Sequence, residues 1–429
     1  MKNFKDISEK RSIYYNDIIK ALDLVFKFIV DNNRILYGGM AIDLALKSNN
    51  HAGIYEEDSI PDYDFYSFDF YNDSIKLADI LFENKLTNIS AINASHYNSR
   101  RVRTNFINVA DITYVPKSVY ETIPTITINS GKYTGIKIVH PNFQRMDLHR
   151  SFNIPFNNSP QEVIMHRFEK DEKRYRILDS VFPIKLDIPN PKYITVEFDK
   201  KILENTMIGG ILCYMILVKL INQKTKINIP GLFEIKNNKI IVNLPEEANK
   251  INLVINEFKE AKEYYNKYLD NIKPLSGIIT MEGWYLEYFY NKHEMIPCYD
   301  IEYENTKLKL AQPNYILLYF LQNYMSTNKN IWLYLYKNTC LIVEKAEELY
   351  KQNKLNFFKD PFFVTVNTFG KYHNLDSEIT EYEEKHNIKL KPPFGYYPKN
   401  TYTVFDISTN PLFKMDGNKV ETINFSDII

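Results

Sequence analysis

Two aspartates, Asp62 and Asp64 in the stretch Pro61-Asp-Tyr-Asp-Phe-Tyr-Ser, are the residues whose type and spacing most plainly suit chemistry. In an extended strand, residues i and i+2 project from one face, so the two carboxylates stand side by side. Magnesium (or manganese) takes hard oxygen ligands and keeps several waters, so a few carboxylates suffice to hold a pair of such ions. Transfer of a nucleotide to a hydroxyl uses that arrangement: one ion lowers the pKa of the attacking hydroxyl, the other steadies the leaving pyrophosphate. Alone, the Asp-x-Asp pattern says little, because surface acids are common. Gly38-Gly39 makes it more specific. The pair lies between a short apolar stretch, Arg34-Ile-Leu-Tyr, and the apolar run from Met40 to Leu46. At such a strand-to-helix junction, backbone amides and the helix N-terminus can receive phosphate oxygens, and glycine keeps side chains out of the way.

The elements that must position these residues follow from apolar spacing. Ile13, Ile18, Ile19, Leu22, Val25, Phe26 and Ile29 predict a helix over Ile7 to Asp31. Arg34 to Tyr37 predicts a buried strand, Asp62 to Ser67 a strand with acids on one face and aromatics on the other, and Asp73 to Asn84 an amphipathic helix. Phe106 to Val115 and Thr134 to Val139 predict strands. Pro160 to Phe182 predicts a long helix with Ser159 as N-cap. On that helix Arg167, Lys170 and Arg174 fall in one stripe, beside an apolar stripe of Ile164, Phe168, Tyr175 and Leu178. Lys170 and Arg174 are candidate contacts for a triphosphate or an RNA backbone, against the plain alternative of a solvated helix face.

Pro189 and Pro191 in Asp187 to Lys192 suggest a domain boundary. Beyond it the chain echoes itself. Gly209-Gly210 precedes the apolar run Ile211 to Leu217 as Gly38-Gly39 precedes Met40 to Leu46, and Lys307-Leu-Lys-Leu-Ala-Gln-Pro-Asn-Tyr resembles Ile136-Lys-Ile-Val-His-Pro-Asn-Phe. Two matches at nearly one offset imply tandem copies of an α/β unit. The second copy is expected to carry Phe233-Glu234-Ile235 where the first has its aspartates, and so to lack a metal site. The resulting division is an N-terminal helical segment (1–33), a first α/β domain (34–186), a degenerate second copy (192–345) and a C-terminal extension (346–429). The tail after Pro392 reads as an extended arm.

Bulk properties exclude several classes. With 53 basic and 53 acidic residues the net charge is zero, unlike a pure RNA-binding module. Three dispersed cysteines indicate neither a disulfide framework nor a zinc knuckle. The polar stretch Met1 to Arg11 is no secretory signal. The longest apolar run, Ile208 to Leu220, is too short for a bilayer and reads as a buried helix. In a chain where Lys is the default cation, the ten arginines are informative: eight lie between Arg100 and Arg176. From His96 to Arg176 there are 13 Lys and Arg against 7 Asp and Glu. A phosphate-binding face is one reading of that cluster, and solvated salt bridges the other.

Strand, Gly-Gly, helix and then Asp-x-Asp on a neighbouring strand resembles the nucleotidyltransferase superfamily that includes DNA polymerase beta and the poly(A) polymerases. That resemblance implies a third acid on a later strand. Asp111, in Ile107-Asn-Val-Ala-Asp-Ile-Thr-Tyr-Val, is the matching position: an acid in an apolar strand needs a partner, and a metal or one of Arg100, Arg101 and Arg103 would serve. Within the superfamily, Tyr37-Gly-Gly-Met-Ala-Ile-Asp-Leu-Ala-Leu, Pro61-Asp-Tyr-Asp-Phe-Tyr-Ser, Asp111-Ile-Thr-Tyr and Phe143-Gln-Arg-Met-Asp-Leu-His-Arg-Ser are similar to poly(A) polymerase catalytic subunits of poxviruses and other large cytoplasmic DNA viruses. The implied fold is α+β, a polymerase-beta-like nucleotidyltransferase domain followed by a catalytically silent, degenerate one. The implied activity is template-independent transfer of AMP from ATP to a single-stranded RNA 3′ end. Asp62, Asp64 and Asp111 would be its Mg2+ or Mn2+ ligands, and Gly38 and Gly39 would bind nucleotide. The resemblance also implies a cytoplasmic setting (host cytoplasm, viral factory or virion). The short apolar run argues for no membrane, and for a polymerase the zero net charge points to a processivity partner or second copy that supplies extra grip on RNA. Two departures stand out: a long spacer from Gly39 to Asp62, with His51 to Ser59 looping out, and Met40 where many members have serine. The alternatives are a tRNA 3′-end or small-molecule nucleotidyltransferase, which Ile42 and the lack of a later Glu-Asp-x-x-Arg motif disfavour, and a non-catalytic RNA-binding scaffold.

Overall fold

The computed structural model describes residues 14–56, 59–94, 98–153, 161–185, 190–225, 227, 229–248, 250–255, 276–281, 284–290, 296–355, 368–370, 375–388, 395–398, 413–416 and 419–422. The expected helix start at Ile7, the Ser159 cap with Pro160, Asp187 to Pro189, and most of the tail after Pro392 lie outside these residues. The chain divides into two compact units, Met1–Gln144 with Asp376–Ile429, and Arg145–Leu375. This differs from the boundaries expected at 186–192 and 345. The division falls inside the helix Pro141–Asn153, because that helix and the helix Gln161–Val181 bury their side chains in the second unit. Arg145 donates to the carbonyl of Leu178, and His149 bonds Asn314 and Tyr336. Proline marks where regular structure stops; burial decides which unit an element joins.

In the first unit, Ile18, Ala21, Leu22, Val25, Phe28 and Ile29 make the buried stripe of the helix Tyr15–Asp31. Seven strands follow: β1 (Ile35–Tyr37), β2 (Tyr63–Ser67), β3 (Ser90–Asn93), β4 (Ser99–Thr104), β5 (Ile107–Tyr114), β6 (Thr125–Thr127) and β7 (Lys137–Val139). With Gly395–Tyr396 from the C-terminal segment on one edge, the sheet runs Gly395–Tyr396, β3, β4, β5, β2, β1, β7, β6. The helices Tyr15–Asp31 and Phe70–Glu83 pack on each other and on β2, β4 and β5. Phe65 of β2 meets Phe28 of the first helix, ring centroids 6.1 Å apart. The odd positions of β2 therefore face those helices and the even positions, with Asp64, face away.

The second unit contains β8 (Tyr193–Asp199), β9 (Thr206–Ile208), β10 (Phe233–Lys236), β11 (Lys239–Pro245), β12 (Lys250–Ile255), β13 (Ser276–Met281), β14 (Trp284–Tyr290), β15 (Ile296–Tyr303), β16 (Thr306–Ala311) and β17 (Thr368–Phe369). One sheet runs β13, β14, β12, β9, β16, β15, β17, and a small one β10, β11, β8. The apolar run is the buried helix Gly210–Asn222, enclosed by the helices Pro313–Thr327 and Asn330–Lys351. No helix among the described residues is long and apolar enough to cross a membrane.

The internal echo is realised strand by strand. The order β4, β5, β2, β1, β7, β6 reappears as β13, β14, β12, β9, β16, β15, with every pair parallel or antiparallel in the same way. Leu36 faces Ile138 as Ile208 faces Leu310. Gly38 and Gly210 both have positive φ, +71° and +51°, and both open an α-helix. The offset is 172 at both the glycine and the proline (210 minus 38, 313 minus 141), which matches Gly210 to Gly38 rather than to Gly39.

Candidate active site

Tyr37, Asp64, Asp111 and Arg101 lie in one row across four strands. Tyr37 of β1 is the register partner of Asp64 in β2, Asp64 of Asp111 in β5, and Asp111 of Arg101 in β4. Residues in register on adjacent strands share a face, so the second and third carboxylates and the guanidinium project together. Asp62 precedes β2 by one residue and has the parity of Asp64. The face opposite holds the aromatic anchors Tyr63 and Phe65, both buried.

Gly38 is required at its position twice over. Its φ of +71° is left-handed, and a Cβ there would stand 2.6 Å from Asp64 Oδ2. The start of the helix Gly38–Ser48 is thereby brought against a carboxylate, with no side-chain cap on its first turn. Uncapped amides and the positive end of the helix dipole can receive an anion beside the acids. Met40 is buried in the core, so no side chain replaces the missing serine hydroxyl from that position. Asp43, on the same helix, explains how the long spacer is accommodated. Its Oδ1 accepts from the Tyr55 amide at 3.0 Å, its Oδ2 pairs with Lys47 at 2.6 Å, and a Cβ on Gly53 would collide with it.

Arg101 donates to Asp111 through both arms, Nε to Oδ1 at 2.8 Å and Nη2 to Oδ2 at 2.6 Å. Its pKa is raised, first by the hydrogen bond to Asp111 and then by the charges of Asp111, Asp62 and Asp64, against the opposing effect of burial. Asp111 thus has the arginine partner that sequence reading held as the alternative to a metal. Among the described residues no group of three or more His, Cys, Asp or Glu side chains is arranged to hold a metal ion. The donor set nonetheless suits magnesium: hard carboxylates in register on one open face, beside a helix end that favours phosphate oxygens.

The arginine cluster is not one phosphate face. Arg100 is fully buried on the helix side, where it bonds Asn93 and the Ala91 carbonyl and lies over Tyr71, and burial lowers its pKa to about 10. Arg103 donates to Asn108, and Arg145 is fully buried near Asp179. Neighbouring strand positions point to opposite faces, so linear clustering of charge does not make a spatial cluster. Lys170 and Arg174 lie on the helix Gln161–Val181, in the unit that does not carry the aspartates. Asp171, which sequence reasoning missed, is buried there and pairs with Arg174 at 3.5 Å and Arg167 at 3.8 Å. Phe168, Tyr175 and Leu178 form the buried stripe expected beside it. His149, assigned no role from sequence, is enclosed between Asn314 and Tyr336, and burial lowers its pKa to about 3.

The second unit shows where the expected counterpart of the aspartates was misplaced. Phe233-Glu234-Ile235 belongs to β10 in the small sheet. The strand that meets β9 as β2 meets β1 is β12, and the Gly209 amide donates to the Asn252 carbonyl. Asn252 therefore stands where Asp64 does, Lys250 where Asp62 does, and Asn252 is in register with Glu287 as Asp64 is with Asp111. The signal was available in the spacing after Gly210, but it required knowing that β10 and β11 leave the sheet.

Comparison with known proteins converges on one family. The sequence model described as "Poly(A) polymerase catalytic subunit" matches residues 23–158. A protein of African swine fever virus named as a poly(A) polymerase catalytic subunit is 30% identical over 396 residues, 86% of this chain and 79% of that one. A mimivirus protein of the same name is 33% identical over 230 residues, 50% of this chain and 36% of its own. The crystal structure of the Megavirus polyadenylate synthase superposes with a TM-score of 0.66 at 19% identity, covering 97% of this chain and 92% of that one, and so shares the fold.

Proposed function

Because the chain belongs to the family of poly(A) polymerase catalytic subunits, we propose that it extends single-stranded RNA 3′ ends with AMP from ATP, without a template. The observation that carries the reading is the register of Asp64 with Asp111 beside the helix end opened by Gly38. Asp62, Asp64 and Asp111 are the residues that would hold Mg2+ or Mn2+; the ions would supply activation of the 3′-hydroxyl and charge neutralisation at the pyrophosphate. The amides of Gly38 and Gly39 bind and orient the triphosphate, and Asp111 orients the 3′-hydroxyl. The new bond joins that oxygen to the α-phosphorus as the bond to pyrophosphate breaks, and the hydroxyl proton is released to solvent. Lys170 and Arg174 are assigned to phosphate contact, with Asp171 orienting Arg174. The second unit is assigned no chemistry, since Lys250 and Asn252 offer a cation and an amide where two ligands would be needed. We place the activity in the host cytoplasm, viral factory or virion, with a partner or second copy supplying processivity.

Incubation with an RNA primer, magnesium and each labelled nucleoside triphosphate tests this. Long extension with ATP alone, abolished in Asp62→Ala, is expected. Equal incorporation of CTP, transfer to a small molecule, or inert protein that binds RNA regardless of Asp62 would sink it.

A further inference from the structure

The bidentate pair between Arg101 and Asp111 has no part in the chemistry just assigned. Both oxygens of Asp111 are engaged by one guanidinium, at 2.8 and 2.6 Å, in the fork geometry that lysine cannot copy. The pair is only partly exposed, 24% for the arginine and 18% for the aspartate, so its charges are not fully screened. Strand pairing aims Arg101 across β5 toward the acids, and Asp62 and Asp64 add their attraction to that of Asp111. A divalent cation at these carboxylates would meet a fixed positive charge already in contact with one of them.

We propose that Arg101 is an internal counter-ion that competes with the divalent cation for Asp111. In the metal-free protein it neutralises the carboxylate row and keeps Asp111 oriented; entry of the cation requires the guanidinium to release at least one of its two hydrogen bonds. Arg101 is thus a positioning residue that weakens metal binding while it organises the site. The inference rests on the reading of Asp62, Asp64 and Asp111 as metal ligands.

Mn2+ binding to the full chain, without nucleotide, distinguishes the two. Free Mn2+ is read by electron paramagnetic resonance in wild type, Arg101→Gln, Arg101→Lys and Asp64→Asn. Loss of the site in Asp64→Asn is expected, with binding about tenfold tighter in Arg101→Gln, equivalent to about 1.4 kcal/mol. Mn2+ should also raise the thermal midpoint of Arg101→Gln more than that of wild type. Equal or weaker binding in Arg101→Gln overturns the proposal while leaving the metal reading intact, because Arg101 would then be neutral toward the ion or needed for it. Absence of Asp64-dependent binding in wild type overturns the metal reading itself, and the proposal with it. Should Arg101→Gln fail to fold by circular dichroism, Arg101→Lys decides: it keeps the charge without the fork, so binding a few-fold tighter than wild type is expected, and equal or weaker binding overturns the proposal.

Discussion

At the scale of single residues, the site depends on one backbone conformation. Gly38 combines a left-handed φ with an approach to Asp64 that leaves no room for a methyl group. An alanine there adds about 1–2 kcal/mol of backbone strain and pushes the carboxylate from its row. Gly38→Ala should lower kcat about a hundredfold, the scale at which misplacement by an ångström acts, while the thermal midpoint shifts only a few degrees. Single-turnover AMP transfer beside a melting curve checks this; an active Gly38→Ala enzyme would refute the tight fit. The glycine pair was legible from type and spacing. The bidentate Arg101 was not, because choosing among Arg100, Arg101 and Arg103 requires knowing which face of β4 each side chain leaves from.

At the scale of elements, buried polar pairs fix strands and helices in place. Arg34, just before β1, donates to Asp73 at 2.6 and 3.1 Å, and Ser67 at the end of β2 donates to the same carboxylate. Asp73→Ala leaves the arginine buried without its acid and should destabilise the protein by about 3–5 kcal/mol, read by denaturant unfolding; a loss under 1 kcal/mol would contradict the pairing. In the second unit, His149 ties the helix Pro141–Asn153 to the helices Pro313–Thr327 and Asn330–Lys351. Its folded pKa of about 3 lies below the usual 6.5, so the neutral ring is the stabilising form. That contribution is full above pH 6.5 and is lost as pH falls toward 3. Between pH 6.5 and 5 wild type should therefore lose ~2 kcal/mol more stability than His149→Gln; parallel pH profiles of the two would count against it. Helix Tyr15–Asp31 and the strand at β2 were readable from periodicity, since their buried stripes are local patterns. Asp171 and Asp73 were not, because a buried acid looks like any surface acid until its partner, distant in sequence, is known.

At the scale of the molecule, the chain uses one strand order twice but carries all three acids only in the first unit; in the second, Glu287 alone stands at a matched position. Asn252, fully buried at the position of Asp64, is surrounded by Gly209, Tyr315 and the chain around β9. Asn252→Asp should leave AMP transfer unchanged, fail to rescue Asp62→Ala, and cost several kcal/mol of stability through an uncompensated buried charge. Transfer restored in the double variant would show that the second unit retains latent chemistry. The C-terminal segment returns to the first unit, where Gly395–Tyr396 pairs with β3 and Tyr396 donates to Asp79 at 2.5 Å. A break in the chain's periodicity therefore did not mark the end of the first unit.

Sequence alone nominated the candidate chemical core: Gly38-Gly39, Asp62 and Asp64 from residue type, short spacing and strand parity, and Asp111 from the family resemblance. It also determined that the α/β unit occurs twice, because apolar patterning and helix-opening residues are local. Tertiary structure alone decided which arginine meets Asp111, that Asn252 rather than Glu234 replaces an aspartate, and where the two units divide. Each of these is a long-range pairing, set by which side chains bury together and not by any pattern along the chain.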